Sequence, residues 1–155
     1  MTSISPTDPH SITLQQLMQP EHANQHGAVH GGVVLKAVDE AGAICAMRYA
    51  RKPCVTVCID SMQFHSPVQV GELLRCQARI TWTGHTSMEV WIRVESEDLI
   101  RGELTHTNSA FAVYVALDEN GRPCAVPPHA PRNEEERRLW QDALLRQHDR
   151  LKLRR

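Results

Sequence analysis

One uninterrupted run of small residues limits what this chain can become. From Val33 to Ala50 there is no proline, and Ala, Gly and Cys dominate the middle. Val34, Val38, Ala41 and Cys45 fall on one helical stripe, while Lys36 and Glu40, spaced i,i+4, mark a polar side. Side chains this small predict a helix that another element approaches very closely. Pro53 ends the segment, and from Cys54 onward the pattern has a period of two. One helix therefore has to serve several strands.

The strand patterns come in sequence. Val55, Val57 and Ile59 alternate with Cys54, Thr56 and Cys58, in a pattern running toward His65. Pro67 and Gly71 mark a turn, and Glu72 to Thr83 reads as the next strand. After Gly84-His85, Met88, Val90, Ile92 and Val94 alternate with Ser87, Glu89, Trp91 and Arg93, the clearest hairpin signal in the chain. Beyond Gly102, Glu103 to Leu117 is a long strand whose second half is apolar on both faces, as at the centre of a sheet. Asn120-Gly121 turns the chain. Ahead of the helix, Ile12, Leu14 and Leu17-Met18 suggest a short strand stopped by Pro20, and Glu21 to Gly32 reads as a loop. The order is strand, loop, helix, then four strands joined by tight turns. The expected fold is α+β, a curved antiparallel sheet wrapped around one central helix, with a leftover sheet edge that predicts dimerisation.

Residues 1–10 read as a loose lead-in, 11–128 as the folded domain, and 129–155 as a linker and a C-terminal amphipathic helix. The proline-rich stretch from Pro123 to Pro131 is extended. Asn133 with Glu136 suggests a capping box, and acids at the start with Lys152 to Arg155 at the end suit the helix dipole. Trp140, Leu144 and Leu151 give a thin apolar stripe for packing on the domain or on a neighbouring subunit.

Charge and composition remove other classes. Seventeen Lys and Arg against eighteen Asp and Glu leave no basic field for nucleic acid. The longest apolar run, Ala110 to Leu117, falls well short of the roughly 20 residues that a membrane span requires, so no membrane insertion is expected. The first ten residues carry neither a basic start nor an apolar stretch, so no signal peptide is expected. Five cysteines, an odd number scattered through helix and strand patterns, read as reduced thiols of a cytoplasmic protein.

Several residues can carry chemistry. His22, His26 and His30 recur at i,i+4 spacing, but Gly27 and Gly31-Gly32 favour loop histidines over a metal-binding helix face. Cys54 and Cys58 fall on one face of a strand, roughly 13 Å apart and too far to grip one ion. Asp39 lies mid-helix on a wheel position bordering the polar side, which periodicity alone reads as solvent-facing. Asn24 is a loop asparagine suited to turn chemistry. Gly31-Gly32 at a helix start exposes backbone N–H groups to an anion or a carbonyl oxygen.

Taken together, Asn24, Gly27, His30-Gly31-Gly32, Leu35, Asp39, Glu40, Gly42 and Ala43 closely resemble the hotdog-fold acyl-CoA thioesterases of the cytosolic acyl-CoA hydrolase and YciA type. The resemblance continues through Val55-Thr56-Val57, Met62, Phe64, Pro67-Val68, Gly71, Gly84, Thr86-Ser87 and Val90. It also includes the stretch from Phe111 to Asp118 and the Gly121-Arg122-Pro123 turn, and spans about residues 10–128. Glu72 departs from it, since many members carry Asp there.

The resemblance implies hydrolysis of acyl-CoA to free acid and CoA, with no metal and no organic cofactor. It places the acidic catalyst on Asp39 and a polar partner on Asn24, contributed by different subunits of a homodimer that assembles to a homohexamer. Gly31 and Gly32 would offer oxyanion donors. CoA and its acyl chain would lie near His30, Thr56, His65, Ser66, Thr86 and Ser87, with Arg93 or Arg79 for phosphate. Two other readings remain. A non-catalytic acyl-CoA-binding module would have no need of Asp39, and an acyl-thioester dehydratase or hydratase would use a histidine base such as His30.

Overall fold

Small side chains let α1 (Gly31–Ala50) lie deep in the concave face of an antiparallel sheet. The computed structural model describes residues 8–154, so residues 1–7 of the expected lead-in lie outside the described residues. The strands are β1 (Ser11–Leu17), β2 (Cys54–Asp60), β3 (Leu73–Thr83), β4 (Ser87–Asp98) and β5 (Glu103–Ala116), in the spatial order β1-β3-β4-β5-β2. A second helix, α2 (Glu134–Leu153), comes after the sheet. Val38, Ala41 and Cys45 of α1 meet Val90 and Ile92 of β4 and Ala112 of β5, all without solvent exposure. Each buried Val or Ile contributes roughly 1.5–3 kcal/mol of transfer free energy. All five thiols are free; burial pushes those of Cys45 and Cys76 up to about 12.

β2 corrects the sequence reading twice. The strand does not run toward His65; it ends at Asp60, and Ser61 takes a left-handed φ of 47°. Its connection to β3 is no tight turn, because β2 sits at the sheet edge beside β5 and residues 61–72 must cross to the other side of β4. Strict alternation also fails within it. The ladder shifts between Thr56, opposite Tyr114, and Cys58, opposite Val113. This bulge turns Cys54 and Ile59 toward the core and leaves Cys58 on the outer side, so the two cysteines do not share a face.

The outer face is where α2 docks. Asn133 Oδ1 accepts the Glu136 N–H at 2.9 Å, but the Glu136 carboxylate takes the Arg132 N–H rather than closing the expected box. The Arg146 guanidinium lies 3.6 Å above the Phe111 ring. Glu89 of β4 has no solvent exposure and accepts from Thr81 at 2.7 Å, Arg146 at 2.8 Å and Arg150 at 2.6 Å. Burial alone would raise the Glu89 pKa, but the bonds from Arg146 and Thr81 outweigh it and hold the carboxyl below its ordinary value. Removing one partner of such a buried ion cluster leaves the other charge uncompensated, a loss of roughly 3–5 kcal/mol.

The last residues of the lead-in are tied down. Asp8 pairs with Arg132 at 3.2 Å, and the His10 ring lies 5.1 Å from Tyr49 and 5.4 Å from His129. Burial holds both imidazoles below their ordinary 6.5, helped by Arg132 at His10 and by His10 at His129. Unfolded imidazoles protonate near 6.5, so this share of stability is complete above that pH and drains away below it. The urea midpoint is expected to fall between about pH 7.5 and about pH 5.5, and His129→Phe to narrow the difference. An undiminished difference in His129→Phe contradicts a role for this ring.

Candidate active site

Asp39 sits about two turns into α1 and is half-buried rather than solvent-facing. The helical wheel alone misses β2, which runs alongside and covers that position. Thr56 Oγ1 donates to Asp39 Oδ1 at 2.7 Å. The buried Tyr114 hydroxyl shares its proton between the Asp39 backbone oxygen at 3.1 Å and Oδ1 at 3.3 Å. Burial and the neighbouring Asp39 carboxylate push the Tyr114 pKa up, so the phenol remains a donor. Asp39 Oδ2 has no hydrogen-bond partner among the described residues. One oxygen is therefore fixed and the other is left available.

Gly42 makes this contact sterically allowed. A Cβ there would lie 2.1 Å from the Tyr114 hydroxyl, so a larger residue would push the phenol away from the helix. Neither Tyr114 nor Gly42 stands out in the sequence as a site residue. The available signal is a glycine inside a helix, which costs about 1 kcal/mol relative to alanine and so marks a close approach.

The entry loop is fixed by its own backbone. The Asn24 N–H donates to Ala28 O at 2.7 Å, and Asn24 Oδ1 accepts the His26 N–H at 2.8 Å. Gly27 takes a left-handed φ of 84° to close the turn. The Asn24 Nδ2 group has no partner among the described residues. No hydrogen bond joins Asn24 to Asp39 within the chain.

The two glycines at the helix start differ. The Gly32 N–H donates to His30 Nδ1 at 2.9 Å, which corrects the expectation that it stands open. His30 caps the helix through that ring nitrogen. The Gly31 N–H, first in α1, has no acceptor among the described residues, and the exposed Phe64 ring lies 3.6 Å from where a Gly31 Cβ would be. His22 Nδ1 accepts from the Gln19 N–H, and no group of three or more metal-ligating side chains occurs among the described residues.

The remaining candidates are spread along the chain. The His65 N–H donates to Thr107 O, and its ring lies 6.1 Å from that of His106. His65 and the half-buried Ser66 come after Phe64, near the start of α1. Thr86 and Ser87 lie beside Ala116 and Val115, near the end of α1 where Leu117 bonds to Pro53. Thr56 stands between these groups, its hydroxyl proton committed to Asp39. Arg93 lies apart from these groups within the chain. It faces outward from β4 and pairs with Glu95 at 2.9 Å, on the side of the sheet away from Asp39 in the same chain.

Residues 26–103 match the family described as the thioesterase superfamily. A Bacillus subtilis protein named as an uncharacterized acyl-CoA thioester hydrolase, YkhA, is 35% identical over 131 residues, covering 84% of this chain and 76% of its own. A solved apo-hexameric acyl-CoA thioesterase is 40% identical with a TM-score of 0.89, covering 96% of this chain and 95% of its own. A Staphylococcus aureus acyl-CoA hydrolase, solved with butyryl-CoA, CoA and CoA disulfide, is 28% identical with a TM-score of 0.85. That match covers 93% of this chain and 88% of the hydrolase. Alanine variants of this hydrolase at an aspartate, an asparagine and a threonine are also solved. Those three positions have the same spacing as Asp39, Asn24 and Thr56. The chain belongs to the thioesterase superfamily and has its hotdog fold. No helix among the described residues is long and apolar enough to cross a membrane.

Proposed function

We propose that this chain hydrolyses the thioester of acyl-CoA to a free acid and CoA, with Asp39 as general base. The carrying observation is the divided carboxylate, with Oδ1 held by Thr56 and Tyr114 and Oδ2 without a partner among the described residues. Oδ2 takes a proton from water as the water oxygen attacks the thioester carbonyl carbon. The developing oxyanion lies against the Gly31 N–H, the open donor at the positive end of α1. Collapse breaks the carbon–sulfur bond, and the CoA thiolate leaves with the proton held by Asp39. The hexameric and CoA-bound relatives support this reading.

Residues 11–128 form the catalytic unit of a homodimer that builds a homohexamer. Leu35 of α1 and Val55 and Val57 of the edge strand β2 are exposed, apolar surface on an open sheet edge that fits a second copy. CoA lies near His30, His65, Ser66, Thr86 and Ser87, which the pairing of two subunits draws together. The test is a panel of acyl-CoAs from acetyl to palmitoyl, read as released thiol. Turnover of at least one is expected. Binding of these CoA esters without thiol release contradicts hydrolysis and favours a binding module.

A further inference from the structure

Asp60 and Glu89 face α2, and through them the C-terminal helix reaches the strand that holds Asp39. Within the chain β2 is an edge strand, paired with β5 alone. Its bulge adds a residue between Thr56 and Cys58, which reverses the facing of the residues beyond. Thr56, before the bulge, points at Asp39; Asp60, after it, points outward. There Arg150 Nε donates to Asp60 Oδ2 at 2.5 Å, while its Nη2 donates to Glu89 Oε2 at 2.6 Å. Glu89 is itself anchored by Thr81 and Arg146. The guanidinium thus ties the far end of an edge strand to a buried acid on central β4.

We propose that the Arg150–Asp60 pair is a positioning element, by which α2 grips β2 beyond its bulge and holds Thr56 Oγ1 on Asp39 Oδ1. The inference rests on Asp39 being the base. With Asp60 released, the end of β2 beyond the bulge loses its tie to α2 and to β4, and Thr56 no longer holds the carboxylate in one orientation. The cost falls on turnover rather than on substrate binding.

The experiment is a double-mutant cycle on the full chain with Thr56→Val and Asp60→Ala, measuring kcat, KM, melting temperature and oligomer size. Thr56→Val is expected to lower kcat about tenfold, the scale of one hydrogen bond to a charged group. Asp60→Ala lowers kcat several-fold with KM within about twofold of wild type, and adds no further loss on top of Thr56→Val. Asp60→Asn, which keeps an oxygen for the guanidinium, recovers most of the rate. Equal losses from Asp60→Ala in both backgrounds, or none in wild type, overturn the proposal. So does an unchanged kcat in Thr56→Val, which leaves the base assignment standing if Asp39→Asn is inactive. If Asp39→Asn remains active, the base reading itself fails. Should Asp60→Ala not fold, Arg150→Lys replaces it in the same cycle.

Discussion

Asp39→Asn is expected to lose about 10²- to 10⁴-fold in kcat, the usual contribution of a general base. The amide matches the carboxylate in shape, and its oxygen still accepts from Thr56 and Tyr114, the two donors that fix Oδ1. The side chain stays in place while the group that accepts the proton from water is gone. KM should stay within a few-fold, and melting temperature and oligomer size should match wild type. Asp39→Ala should be as slow or slower, because it also leaves the buried Tyr114 hydroxyl without its side-chain acceptor. A rate within about tenfold of wild type for either variant is too small a loss for a base and removes Asp39 from that role.

The central helix is legible because its composition has a single physical solution. Small residues at helical spacing, ended by Pro53, have to lie where other elements come close, and α1 does. The β3–β4 hairpin is equally plain, since Met88 to Val94 alternate without interruption and face the core. The bulge in β2 leaves no trace. Neither glycine nor proline interrupts Cys54 to Asp60, and the register shift arises from pairing with β5. The docking of α2 is hidden for another reason. Glu89 and Arg150 look like solvated charges in sequence, and only the folded sheet shows that they bury each other.

The site is legible in part. Asn24, Asp39 and Gly31-Gly32 stand out by residue type, but their joint meaning comes from the family resemblance rather than from spacing. The wheel places Asp39 in solvent because it contains no neighbouring strand. The resemblance puts Thr56 among the substrate contacts, whereas its proton goes to Asp39. Gly32 looks open because a sequence does not show that His30 Nδ1 bends back onto its N–H.

We infer that two chains share each site, from where one chain holds Asn24 and Asp39. Asn24 stands before the start of α1, while Asp39 lies about 12 Å along the helix from its first residue. The Asn24 oxygen is committed to the His26 N–H, and its Nδ2 group has no partner among the described residues. Two antiparallel α1 helices across a dimer axis bring Asn24 of the partner subunit to Asp39 without bending either loop. The direct measurement mixes inactive Asn24→Ala protein with inactive Asp39→Ala protein under conditions of demonstrated subunit exchange. Each mixed dimer then holds one intact site and one doubly damaged site, so random exchange restores up to about a quarter of wild-type activity. Activity that stays at the level of the separate variants, with exchange complete, contradicts the shared site.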